Sequence, residues 1–147
     1  MIVWGGSGEE PGNLISGGQF DPVTKVWTPL STTGAPTPRT AYTAVWTGTR
    51  MVVWGGRTGS PNRAVPGNQF DPGDTVIGTG AQYDPSNDTW TTISGTGAPT
   101  PRFGHTAVWA GSQLIVWGGM EMAYDLGNET FVNTGGRLAT LSLYVKQ

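Results

Sequence analysis

Apolar residues in this chain fall in short β-rich runs closed by glycine. Thr43 to Trp46 and Met51 to Trp54 are two such runs joined by the Gly-containing turn Thr47 to Arg50, and the pair predicts a hairpin. Gly55-Gly56 ends the second run, where only glycine takes positive φ freely. Gln82-Tyr83-Asp84-Pro85 puts an aromatic on a third strand and begins a turn, and Trp90 starts a fourth. The unit is a four-stranded antiparallel meander. With its strands named A to D, A is predicted at 42–47 and 105–110, B at 2–5, 50–55 and 113–118, C at 17–21 and 80–84, and D at 26–30 and 89–93.

The unit recurs. Gly17 to Gly56 aligned with Gly80 to Gly119 agrees at 23 of 40 positions by direct count, which implies tandem copies. Gln-aromatic-Asp-Pro, a Trp five residues on (Trp27, Trp90), Gly-Ala-Pro-Thr-Pro-Arg (to Arg39 and Arg102), Thr-Ala-Val-Trp and Val-Trp-Gly-Gly follow in one order. Val3 to Gly6 is a third copy of the last landmark. Gln69-Phe70-Asp71-Pro72 duplicates the strand C motif without the following Trp, so C is placed at Gly80 to Asp84 and residues 57–79 become a long loop.

Composition narrows the class. Glycine (24) and proline (11) make up nearly a quarter of 147 residues, which excludes a helical bundle. Seven Trp, four Tyr and four Phe are too much aromatic surface for a chain that stays solvated. A net charge of -2 gives no footprint for nucleic acid or an anionic membrane. There is no Cys, no apolar run of membrane-spanning length and no signal-peptide pattern at the N-terminus. A soluble chain of unassigned compartment is expected.

The Gly-Gly doublet closing an apolar strand, the Tyr-Asp-Pro turn, the Trp after it and the Arg before the next strand together resemble kelch repeats over about residues 1–119. The resemblance implies an all-β fold of β-propeller blades, about three per chain: residues 1–41 a blade lacking its first strand, 42–96 a complete blade, and 97–147 a degenerate last blade. In that last blade Gly135 to Leu138 is expected at the position of Thr79 to Gln82. The recurring Trp residues are expected to fill the layers between blades.

Alternation of strand direction puts the A–B and C–D turns at one end and the longer loops, 7–16, 33–40, 57–79, 96–103 and 120–134, at the other. Loops on a rigid scaffold commonly carry binding. Arg57, Arg63, Arg102 and His105 are the candidate ligand-binding residues there, since guanidinium forks recognise carboxylates and phosphates. For Arg39 and Arg102 the resemblance favours tying the loop between blades. No catalytic residue, metal site or cofactor is assigned. His105 is the only His and shares its repeat position with Tyr42. The copper centre of galactose-oxidase-type relatives, built from His ligands and a Tyr joined to Cys, has no counterpart here. Glu9, Glu10, Asp74, Glu121 and Glu129 show no spacing that fixes a catalytic pair.

The expected function is a noncatalytic scaffold binding a protein or glycan. The alternatives are a carbohydrate-active propeller resembling sialate mutarotases or kelch-bearing lyases, and a structural part of a larger repeat protein. Three blades do not close a ring that needs about four to eight, so a head-to-tail homodimer of six blades is expected. Alternation of Leu141, Leu143 and Val145 suggests a last strand that completes the first blade of the partner.

Overall fold

In the computed structural model, which describes residues 1–6, 8, 13–59, 74–123 and 128–139, all regular structure is β. In chain order the strands are β1 (Ile2–Trp4), β2 (Gly17–Asp21), β3 (Val26–Pro29), β4 (Thr43–Trp46), β5 (Met51–Trp54), β6 (Gly80–Asp84), β7 (Thr89–Thr92), β8 (Thr106–Trp109), β9 (Gln113–Trp117), β10 (Met120–Ala123), β11 (Asn128–Phe131) and β12 (Gly135–Ala139). Every strand expected at positions A to D lies within its predicted range, and strand C of the middle unit is at Gly80–Asp84. Gln69 to Pro72, its competing copy, and the last strand expected at Leu141, Leu143 and Val145 fall outside the described residues. No helix among the described residues is long and apolar enough to cross a membrane.

The strands form antiparallel meanders. A first sheet runs β1-β2-β3, a middle sheet β4-β5-β6-β7 and a third sheet β12-β9-β8, while β10 and β11 pair as a separate hairpin. Their registers repeat: Trp4 lies opposite Gly17, Trp54 opposite Gly80 and Trp117 opposite Gly135. Gly135 therefore stands where Gly80 does, one residue later than the expected match to Thr79. A Cβ at Gly17, Gly80 or Gly135 would come within 2.4, 2.3 or 2.4 Å of the carbonyl oxygen of Val3, Val53 or Val116, so this closely packed position accepts only glycine. The stretch 120–134, read from sequence as loop, contains β10 and β11.

Two apolar layers join the sheets. Trp4 and Leu30 of the first sheet unit pack with Met51, Val53, Ala81, Tyr83 and Trp90. Val52, Trp54 and Ile93 pack with Leu114, Val116 and Leu138 of the third sheet. Alternation along a strand sends successive side chains to opposite faces, so β5, sandwiched between both layers, is buried at all of its positions. Each such side chain contributes roughly 1.5–3 kcal/mol. Trp4 meets Trp90 edge-on at 5.5 Å, and Trp90 closes its own polar requirement by donating Nε1–H to the Ser31 carbonyl at 2.9 Å.

Not every Trp expected in an inter-sheet layer is there. Trp54 and Trp90 are buried, whereas Trp27, Trp46 and Trp117 are exposed. Trp27 and Trp117 sit on the outward faces of the first and third sheets, and no further sheet covers those faces among the described residues.

Candidate functional site

The long connections meet at one end of the sheets, and their bases are fixed. Arg57 bridges antiparallel to both Thr40 and Val76. Beside it Thr58 N–H donates to the Thr75 carbonyl at 3.0 Å and Ile77 N–H to the Gly56 carbonyl at 2.8 Å. The connection from β5 to β6 is thus pinched at its root, and Asn13 Nδ2 reaches it from the first sheet's loop, donating to the Gly59 carbonyl at 2.9 Å. Arg63 lies outside the described residues.

Two arginines tie these connections in the same way. Arg39 donates from Nε to the Thr37 carbonyl at 2.9 Å, from Nη1 to the carbonyls of Gly55 at 3.1 Å and Thr79 at 2.9 Å, and from Nη2 to Thr37 Oγ1 at 2.9 Å. Arg102 donates from Nε to the Thr100 carbonyl at 3.1 Å, from Nη1 to Gly118 at 3.0 Å and Thr134 at 2.7 Å, and from Nη2 to Thr100 Oγ1 at 2.8 Å. Each guanidinium spans the end of one strand and the residue just before the next, which joins both ends of a long loop to the segment arriving from the preceding sheet. Both side chains are buried. Burial lowers the Arg39 guanidinium to about 10, so it remains a cation at neutral pH.

Among the described residues Arg102 has one partner residue that Arg39 lacks. Its Nη2 lies 2.7 Å from Glu121 Oε1, and the Thr100 hydroxyl donates to the same carboxylate. Sequence spacing placed Glu121 in a loop with no assigned pair; β10 brings it back over the clamp.

The Gly-Gly doublets let the incoming segments approach. Gly56 and Gly119 have φ of +98° and +96°, and a Cβ there would lie 2.7 Å from the carbonyl oxygens of Thr40 and Phe103 respectively. These contacts carry the bonds Arg57 N–H to the Thr40 carbonyl at 3.0 Å and Met120 N–H to the Phe103 carbonyl at 2.9 Å.

His105 and Tyr42 occupy matching places at these junctions. Tyr42 packs edge-on against Trp4 at 5.4 Å and donates its hydroxyl to the Trp4 carbonyl. His105 packs edge-on against Trp54 at 5.1 Å, and its Nε2 lies 2.8 Å from Thr43 Oγ1. Burial, followed by the Arg102 charge, pushes the imidazole down to about 4, so at neutral pH it is uncharged. Arg57 lies 5.0 Å from the Phe103 ring centre in a cation–π contact.

Of the four candidate ligand residues, the fold gathers Arg57, Arg102 and His105 at the junction of the middle and third sheets. Arg102 and His105 lie beneath its surface, the guanidinium turned to protein acceptors and the imidazole Nε2 to Thr43 Oγ1 while its buried Nδ1 has no hydrogen-bond partner among the described residues; Arg57 is half-buried. Among the described residues no three His, Asp or Glu side chains come together as metal ligands would.

An open cleft of about 590 Å³ lies at the opposite end, between the first and middle sheets, lined among others by Met1, Ile2, Gln19, Ala44, Trp46 and Met51. It follows the edge of β1, which carries no paired strand among the described residues. Its lining side chains are mostly apolar, with the Gln19 amide among them. No protein-family model matches this sequence, and no curated protein matches it.

Proposed function

We propose that the chain is a kelch-type β-propeller segment, its three sheets acting as blades, and that it is a noncatalytic scaffold binding a protein or glycan partner on its long-loop face. The observation that carries this reading is the duplicated arginine clamp. Arg39 and Arg102 hold corresponding loop ends with the same four kinds of bond, so the loops rise from fixed points. A face whose ordering cost is met during folding binds more tightly than one ordered by its partner. The 23 matches in 40 positions and the repeated Trp-to-Gly register support blades of one kind.

In this reading Arg57 and Arg63 supply charge to the ligand, and Arg102 and His105 hold the base of the loop connections. The enzyme alternatives are less well supported, because the single His is buried, uncharged at neutral pH and engaged with Thr43.

Glycan arrays and immobilised-chain capture of defined proteins test the proposal. A bound partner should lose about tenfold in affinity or more when Arg57 and Arg63 are both replaced by Ala, and should be indifferent to Arg50→Ala at the short-turn end. Loss of binding with Arg50→Ala or Trp46→Ala, and none with the Arg57 and Arg63 pair, would place the site at the opposite end and overturn the reading.

A further inference from the structure

The two layers between sheets are copies of one interface. In each, the earlier sheet presents an Ile or Val and a Trp from its B strand: Ile2 and Trp4 in one, Val52 and Trp54 in the other. The later sheet answers with alternate residues of its own B strand and a large residue from strand C: Met51, Val53 and Tyr83, or Leu114, Val116 and Leu138. Every sheet therefore has two unlike faces, one that follows and one that leads.

Both kinds of face are also found uncovered. Val52 and Trp54 are fully buried, but their counterparts on the third sheet, Ile115 and Trp117, are 41% and 59% exposed. Val53 and Trp90 are buried, but their counterparts on the first sheet, Val3 and Trp27, are 47% and 50% exposed. The exposed leading face keeps its built form: Phe20 and Trp27 stand 5.1 Å apart, as Tyr83 and Trp90 do. Val108, matching the partly buried Val45, extends the other patch and is also exposed.

We infer that a second copy of this chain covers these faces, with the Trp117 face of one copy packing on the Trp27 face of the next. The occupant is identified by continuity with the interfaces already inside the chain: the surface that fits Val3, Phe20 and Trp27 is the one carried by Ile115 and Trp117, as Trp4 fits Trp90. Trp117 meets Trp27 in this contact. The contact is heterologous, joining unlike patches, and so closes a ring or extends an open array rather than pairing like with like. It does not depend on the loop face binding anything.

Mixing two exposed-face variants tests this. The wild-type chain should sediment above its 15.5 kDa, whereas Trp27→Glu and Trp117→Glu should each sediment as a single chain with unchanged circular dichroism. An equimolar mixture of the two should regain a species of twice the chain mass, because one variant keeps the Trp117 face and the other the Trp27 face. A wild-type chain that stays at 15.5 kDa at high concentration would overturn the inference. So would a single variant that still associates, or a mixture that fails to.

Discussion

His105 stands edge-on to Trp54, ring centres 5.1 Å apart at 75°, and spends its Nε2 on the Thr43 hydroxyl at 2.8 Å. The imidazole is part of the seam between the middle and third sheets, and the seam holds it uncharged.

This makes stability depend on pH in one window. The folded value is about 4 against 6.5 for the free side chain, so below 6.5 the unfolded chain takes up a proton that the folded chain refuses. The contribution of His105 is intact above pH 6.5, declines as pH falls, and is fully lost below about 4, a total of roughly 3 kcal/mol. Urea unfolding at pH 7 and pH 5 should show part of this loss. His105→Tyr, which installs the residue that Tyr42 supplies at the matching position, should flatten it.

Arg39 is the sharper test of the clamp, since its acceptors in the clamp are carbonyls and a hydroxyl. Arg39→Ala leaves the carbonyls of Gly55 and Thr79 without their guanidinium donor inside the protein and should cost about 3 kcal/mol. Arg39→Lys keeps the charge but not the planar fork and should recover less than half of that loss. Equilibrium denaturation measures both.

The strands were legible because each unit repeats its own punctuation. Gly-Gly, Asp-Pro and the Trp after it recur with the strands between them, so the ranges survive errors at any single residue. The structural role weighed for Arg39 and Arg102 was legible for the same reason. Burial was not. Repetition assigns Trp27 and Trp90 the same place on a sheet, but among the described residues only Trp90 has a neighbouring sheet against it. The hairpin β10–β11 was hidden because it lies outside the repeated pattern, and the Arg102–Glu121 pair was hidden with it. Gly135 was set one residue early because the last unit lacks Asp-Pro to fix its register.

Two glycine substitutions separate backbone conformation from close approach. Gly48 and Gly56 both have positive φ, +104° and +98°, but a Cβ at Gly48 meets nothing within 4 Å, while at Gly56 it meets the Thr40 carbonyl oxygen at 2.7 Å. Gly48→Ala should cost about 1–2 kcal/mol. Gly56→Ala should cost at least about 1 kcal/mol more, and chemical denaturation of the two variants side by side gives the difference.

The stacking of the three sheets is the foundation of the loop face and of the end-to-end contact alike, and amide hydrogen exchange measures it directly. Strands β2, β5 and β9 are each inner strands of their sheets, so strand pairing is matched among them and coverage of the faces differs. Amides in the core of a stack open only with global unfolding, those nearer its ends by smaller fluctuations. The account predicts that in the single-chain Trp27→Glu variant Met51 to Trp54 exchange slowest, behind both Gly17 to Asp21 and Gln113 to Trp117. Exchange at β5 as fast as at β2 and β9 would contradict it.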